Sequence, residues 1–275
     1  MKILFAGCGD LGSRAAGLLL PEHICHGLRR HPKCFSAGLV SIAADMTSVE
    51  QMYQVLSAGY DVVIATITPQ AFNEAAYKAS YLAAANALKS TVDALVSPPS
   101  LIIWASSTSV YGDHLGDWVD EDSLTAADSF SGRILRQAEQ TIARLSCPQI
   151  VVRFSGIYGP RRTRLLDQVR AGVGRPIDPI YWSNRIHIDD CAAVFSHLVK
   201  IHAAGGALQP LYLASDNEPV GQHQLRSWLA ERIGVSLKEQ PTSQESSRRC
   251  SNNRLLDSGF RFSYPTFREG YSALL

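Results

Sequence analysis

A chain of 275 residues, 46% hydrophobic and 19% charged, is long enough to bury a substantial core in one large domain or one and a half. Its formal net charge of +1 points to neither nucleic acid nor an anionic membrane, and no apolar run approaches the roughly 18 residues of a membrane-spanning helix. Cys8, Cys25, Cys34, Cys147, Cys191 and Cys250 have no C-x-x-C spacing and read as reduced, mostly buried thiols of a cytoplasmic protein, with no disulfide framework and no metal site.

The first predicted element is a strand, Lys2-Ile3-Leu4-Phe5-Ala6, and residues 13–20 then read as a helix stopped by Pro21. Between them Gly7-Cys8-Gly9-Asp10-Leu11-Gly12 places G-x-G-x-x-G on a strand-to-helix turn, the context that marks a dinucleotide site. Gly7 lets the chain turn sharply, Gly9 has no Cβ to block a pyrophosphate, and Gly12 lets helix and strand pack closely. The helix N-terminus offers free N–H groups and a positive dipole end to the phosphates. A tight turn that keeps the glycines without a ligand is the plainer alternative. Phe5-Ala6-Gly7-Cys8 superficially matches a lipoprotein cleavage site, but the apolar run before it is too short for a signal peptide, and cleavage would destroy the turn.

Residues 23–28 predict a second strand, ending in Arg29-Arg30-His31-Pro32, and residues 39–43 a third, leading to Asp45. A helix over 49–56, a buried-type strand over 61–65 and an alanine-rich helix over about 70–95 follow. Then come a strand over 101–105, a helix over 130–145 and a strand over 149–153. This alternation implies right-handed crossovers and a parallel sheet covered by helices on both faces. Past Gly159-Pro160 the pattern loosens, with helices over about 190–202 and 221–233 and a polar loop over 241–249. The predicted fold class is α/β: a Rossmann-type doubly wound parallel sheet with a small C-terminal substrate-binding cap. Residues 1–160 form the NAD(P)-binding domain and 161–275 mainly the cap, with some segments returning to the sheet.

An acidic residue about 20 positions past the glycines reads the adenosine ribose in NAD-binding chains. Here that window holds Leu28, Arg29 and Arg30, and two guanidiniums suit a 2′-phosphate, so the expected cofactor is NADP in preference to NAD. Asp45 and Met46 sit where an adenine amino group could be read, although Asp45 equally suits a helix cap or turn. Ala65, Thr66 and Ser106, at the ends of later strands, complete the expected cofactor contacts beside Gly7, Gly9, Asp10, Leu11 and Gly12.

Ser106-Ser107-Thr108-Ser109-Val110-Tyr111-Gly112-Asp113 follows a buried strand and puts hydroxyls at the sheet edge where such folds bind ligands. The glycine turn, this run, Arg153-Phe154-Ser155-Gly156-Ile157-Tyr158-Gly159-Pro160 and Arg185-Ile186-His187-Ile188-Asp189-Asp190 resemble successive signatures of the extended short-chain dehydrogenase/reductases. These are the NAD-dependent epimerase/dehydratase family, largely nucleotide-sugar enzymes. Residues 251–260 also resemble that family's ending. The resemblance implies that Ser107 is the catalytic hydroxyl and that Ser109 and Tyr111 line a sugar pocket. It also implies a proton-donating tyrosine, a lysine four residues on and a glutamate eight residues on. Glu139 fits the glutamate, which leaves Ser131 in the tyrosine slot and Leu135 in the lysine slot. Serine cannot replace a phenol held near neutral pKa, and leucine supplies no charge. The candidate catalytic set is therefore Ser107, Tyr111 and Ser131, with Arg133 and Tyr111 weighed as replacement acids and read more readily as positioning residues.

Arg161, Arg162, Arg164, Arg170, Arg175 and Arg185 crowd residues 161–185 against Asp167 and Asp178. The resemblance places this segment over the substrate cleft. Arginine forks suit diphosphates and carboxylates, and a solvated basic face is the alternative. The expected substrate contacts are Ser109, Tyr111, Arg133, Tyr158, Arg161 and Arg185; His187 reads as structural. The expected function is an NAD(P)-dependent epimerase/dehydratase-type oxidoreductase acting on a sugar-like or nucleotide-sugar-like anionic substrate. The alternative is a non-catalytic NADP(H)-binding sensor or regulatory protein. Expected partners are that small molecule and a second copy in a homodimer, with no nucleic acid and no membrane.

Overall fold

The short apolar runs pair side by side in one sheet. Its strands are β1 (Lys2–Ala6), β2 (Ile24–Arg29), β3 (Val40–Ala43), β4 (Val62–Ala65), β5 (Leu101–Ser107), β6 (Gln149–Phe154) and β7 (Leu211–Ala214). The order is β7-β6-β5-β4-β1-β2-β3 and every neighbouring pair is parallel. The computed structural model describes residues 1–32, 38–240 and 247–275, so Cys34 and positions 241–246 of the predicted polar loop lie outside the described residues.

The helices are α1 (Asp10–Leu19), α2 (Val49–Leu56), α3 (Glu74–Tyr77), α4 (Ala83–Ala94), α5 (Phe130–Ile142), α6 (Arg164–Arg170), α7 (Ile188–Ala203), α8 (Gln222–Ile233), α9 (Asn253–Asp257) and α10 (Phe267–Ser272). Alternate residues of each strand face opposite sides of a sheet. Ile3, Phe5, Val62 and Ile64 accordingly pack with Leu11, Ala15, Cys191 and Phe195 of α1 and α7. Leu4, Val63, Ile102 and Trp104 pack on the other face with Met52, Ala84, Leu88 and Ala138 of α2, α4 and α5. Burial on both faces explains why β4 reads as an unbroken apolar run. A separate apolar cluster joins Leu165, Leu166, Leu225, Leu229, Phe267 and Tyr271 of α6, α8 and α10. Cys8, Cys25, Cys147, Cys191 and Cys250 are buried free thiols.

Several elements differ from the sequence reading: α6, α9 and α10 are unpredicted helices, and two further differences shape the sheet and the cleft. The alanine-rich helix starts at Glu74, because the Asn73 side chain accepts the Ala76 N–H at 2.8 Å and caps it there. A π-helical turn, Lys78–Leu82, then separates α3 from α4, with the Ser80 hydroxyl bonded to the Ala76 carbonyl at 2.7 Å. The unpredicted strand of the main sheet is β7, which returns the second half of the chain to the sheet edge. Its outward Leu213 N–H is accepted by Glu121 Oε1 at 2.7 Å, and its Leu211 carbonyl accepts Arg254 Nη1 at 3.4 Å. Arg254 Nε stands 3.7 Å from Glu121 Oε2, so the two guards of the edge are themselves paired.

After β3 the chain crosses back to place β4 on the other side of β1. Helices leave the carboxyl ends of β1 and β4 in opposite directions there, which opens the crevice where this architecture binds ligands.

Candidate active site

The glycine turn sits at that crevice. Gly7 has φ +77°, and a Cβ on it would lie 3.0 Å from the Thr66 carbonyl oxygen. The N–H groups of Gly7 and Cys8 both donate to the Leu28 carbonyl, at 3.1 and 3.0 Å, which pins the turn to β2. A Cβ on Gly12 would meet Thr66 Oγ1 at 3.0 Å, so its absence lets α1 close on the end of β4. A Cβ on Gly9 would meet nothing nearer than 3.8 Å and would project into open space. Gly9 caps α1 with no side-chain bond to the first-turn N–H groups. An open cradle beside an uncapped helix start fits a pyrophosphate.

Two cavities flank this cradle and share Gly9, Ile67, Thr68 and Gln70 in their linings. The first, about 380 Å³, is lined by Arg29, Arg30, Asp45, Met46 and Thr47. Asp45 Oδ1 accepts Thr47 N and Oγ1, at 2.9 and 2.8 Å, so this carboxylate shapes its own turn. The second, about 710 Å³, is lined by Asp10, Leu11, Gly12, Thr66, Ser106, Ser107, Ser109, Ser131, Leu135 and Arg162, among others. Both volumes fall in the range of small-molecule sites. The residues present therefore fit a dinucleotide laid across the glycine turn, with one end among the arginines and the other among the hydroxyls. Ala65 is buried beneath the crevice and lines neither cavity.

The hydroxyls differ in what they can offer. Ser107 Oγ accepts the Ser109 N–H at 3.2 Å, which leaves its own proton to donate. Ser106 Oγ donates to Glu139 Oε1 at 2.5 Å. Glu139 and Arg153 form a buried pair, with Arg153 Nη2 2.7 Å from Oε2 and Nε 3.1 Å from Oε1. Arg153 Nη1 also donates to the Tyr111 hydroxyl at 2.9 Å. This network ties β5, α5 and β6 together beneath the cleft. Ser131 Oγ lies 3.1 Å from Ser129 Oγ, and Ser131 and Leu135 both face the cavity.

Five expected substrate contacts are corrected. Tyr111 is fully buried, its hydroxyl held by Arg153, and it lines neither cavity; burial pushes its phenol up despite that guanidinium. Tyr158 is buried and stacks on Tyr271 with centroids 4.3 Å apart. Arg133 turns outward to the Asp128 carbonyl. Arg161, forced to φ +66°, lies in a shallow surface depression with Arg164 and Asp167. Arg185 also stands away from both cavities, close enough for its charge to pull the pKa values of Tyr158, Tyr271 and Asp216 down against the larger effect of burial. Of the arginine run, Arg162 is the residue that reaches the larger cavity. Its Nε has no hydrogen-bond partner and lies 3.9 Å from Asp10 Oδ2. Arg14 completes this rim by joining Asp10, at 3.1 Å, to Asp189, at 2.5 Å. His187 caps α7 and accepts the Asp189 N–H; burial lowers its pKa, so it stays neutral there.

Sequence reasoning also missed Phe72, Tyr77 and Tyr81, which form the remaining wall. Burial pushes both tyrosine phenols up, and among the described residues lining the cavity no lysine opposes that shift.

No family model matches the sequence, and no curated protein matches it. Among solved structures the chain is similar to a protein from Methylobacillus flagellatus assigned to the NAD-dependent epimerases/dehydratases. The two share 34% identity over 99% of this chain and 97% of that one, with a TM-score of 0.82. The chain belongs to the NAD-dependent epimerase/dehydratase family. Other epimerase/dehydratase structures share the fold at lower identity. A human epimerase family protein crystallised with NADPH is 19% identical over 99% of this chain and 98% of that one, at a TM-score of 0.78. The UDP-glucuronic acid 4-epimerase of Bacillus cereus, crystallised with UDP-glucuronic acid and NAD, is 18% identical over 99% and 97%, at 0.79. Ser131 and Leu135, the residues that fall in the tyrosine and lysine slots of the sequence reading, both line the cleft. Among its described residues no helix is long and apolar enough to cross a membrane.

Proposed function

We propose that the protein is an NADP-preferring oxidoreductase acting on a small anionic, sugar-like or nucleotide-sugar-like substrate. The observation that carries this reading is the crevice, in which an arginine-lined cavity joins a hydroxyl-lined one across an open glycine cradle. Arg29 and Arg30 pair with the ribose 2′-phosphate, and the start of α1 receives the pyrophosphate. When bound, the cofactor supplies or accepts a hydride. Ser107, whose Oγ already accepts the Ser109 N–H, donates a hydrogen bond to the reacting substrate oxygen. Ser106, held by Glu139, keeps the floor beside it fixed. Arg162 meets the substrate's anionic group. In this reading residues 1–160 bind the cofactor, and most of 161–275 closes over the substrate.

Titration with NADPH and NADH tests the cofactor, and equal affinity for the two overturns the NADP preference. Turnover is tested with a panel of carbonyl and nucleotide-sugar substrates. Ser107→Ala should lower kcat about 10²–10³-fold, the effect of one oxyanion-type donor, with little change in NADPH affinity. The second reading, a non-catalytic NADP(H) sensor, is favoured by one observation: the cleft-facing Leu135 supplies no charge to lower a neighbouring pKa. Tight NADPH binding with no consumption across the panel would decide for it.

A further inference from the structure

The mouth of the larger cavity is aromatic on one side. Phe72, in the segment between β4 and α3, meets Phe130 and Tyr77, with ring centroids 5.1 and 5.7 Å apart. Tyr77 in turn meets Phe130 at 5.4 Å and Tyr81 at 5.3 Å. The rings come from three separate segments and brace one another in tilted and edge-to-face arrangements, the geometry that ring quadrupoles favour. Phe72 nevertheless remains 75% exposed. A single exposed phenylalanine is ordinary. This one is braced by two neighbours, and it continues the lining of a cavity that also holds Ser107, Ser131 and Arg162.

We propose that the substrate carries a flat conjugated ring that lies against Phe72, with its reacting oxygen at the serines and its anionic group at Arg162. This names the substrate class of the site above and rests on that reading of it. An open-chain aliphatic substrate would leave the braced face in water. A ring covers it while one polar end reaches the hydroxyls and another the guanidinium of Arg162 at the cavity wall, whose Nε side is turned to Asp10 at 3.9 Å. For an aldehyde the step balances as reduction to the alcohol. The carbonyl carbon gains the hydride, the oxygen takes one proton from solvent, and NADPH leaves as NADP⁺.

Two probes share an aldehyde and a carboxylate and differ in the ring: 4-carboxybenzaldehyde and succinic semialdehyde. Each is titrated into the protein with and without NADPH, and binding is read by thermal shift and, with NADPH present, by its fluorescence. The ring-bearing probe should bind about tenfold tighter. Phe72→Ala should abolish the difference, and Phe72→Tyr should retain it. Phe72-dependent competition by uridine diphosphate would assign the ring to a nucleobase, and its absence to an aryl group of the substrate itself. Equal binding of the two aldehydes overturns the proposal. So does an unaltered preference in Phe72→Ala, or a fall from dimer to monomer in that variant by light scattering, which would show a second copy covering the wall. A ring preference that persists in a protein unable to bind NADPH overturns the cofactor reading and leaves this proposal standing.

Discussion

Gly9→Ala separates the cofactor site from the fold. In the protein alone an added Cβ meets only the Gly7 carbonyl oxygen, at 3.8 Å, an ordinary contact, and the residue's φ of −92° suits alanine. Alanine gains about 0.4–1 kcal/mol by restricting the unfolded chain. It loses a similar amount, about 0.5–1 kcal/mol, as a poorer helix cap than glycine. The melting temperature of the free protein should therefore stay close to that of the parent. Binding is another matter. A pyrophosphate oxygen bonded to backbone N–H groups sits at about 2.7–2.9 Å, closer than a methyl carbon in its path allows. Losing one such bond to a charged group removes about 1.5–3 kcal/mol, which weakens NADPH about 10- to 100-fold. Thermal unfolding without ligand and a fluorescence titration with NADPH measure the two effects. Gly7→Ala is the contrast: its Cβ would sit 3.0 Å from a backbone oxygen at φ +77°, so that variant should lose stability even without ligand. Wild-type NADPH affinity in Gly9→Ala would refute the pyrophosphate placement, and a drop in melting temperature like that of Gly7→Ala would refute the open cradle.

Three further outcomes follow from the same geometry. Replacing Arg29 and Arg30 with alanine should remove most of the preference for NADPH over NADH, and in the parent that preference should shrink as salt rises; a preference indifferent to both would rule out the ionic contact. Glu139→Gln leaves the Arg153 charge buried without its counter-charge and should cost about 3–5 kcal/mol in denaturant unfolding, whereas a loss under 1 kcal/mol would mean that solvent reaches the pair. Asp216 is 1% exposed, its Oδ2 has no hydrogen-bond partner, and burial raises its pKa well above the usual carboxylate value, with Arg185 opposing only in part. Folding therefore takes up a proton there: the stability from the neutral acid is complete below the usual value and is lost as pH rises through the raised one. Asp216→Asn should flatten this decline and raise the melting temperature at neutral pH, and an unchanged pH profile would count against it.

The parts of the fold legible in the sequence were those with a period or a punctuation mark. Residues 49–56 show helical spacing and form α2 with those bounds, and the glycine turn carries its own steric requirements. The four residues of β7 were too short a run to tell from loop, and its pairing partner lies about 60 positions earlier. The arginine run announced its charge but not its directions. Direction depends on the turn at Gly159–Arg162, where Arg161 takes a positive φ and Arg162 the cleft. Tyr111 misled because a tyrosine in a hydroxyl-rich segment is chemically a plausible site residue. Only the packed structure reveals that Arg153, 42 positions on, holds its hydroxyl. The aromatic wall was illegible for the same reason: Phe72 and Phe130 meet only after α3 and α5 are side by side.

The guarded strand at the sheet's edge bears on how the molecule behaves in a crowd. An open edge with free donors and acceptors invites another chain to add a strand, the first step of domain swapping and aggregation. On β7 a carboxylate occupies one outward donor, the Leu213 N–H, and a guanidinium one outward acceptor, the Leu211 carbonyl. An approaching strand would have to displace both charges and leave them without each other. Burial raises the pKa of Glu121 above the usual carboxylate value, so mild acid neutralises this guard before it protonates ordinary surface carboxylates. Self-association through β7 is thus held off by two side chains that belong to neither cavity, and it should first become visible on acidification, while the sheet itself is still intact.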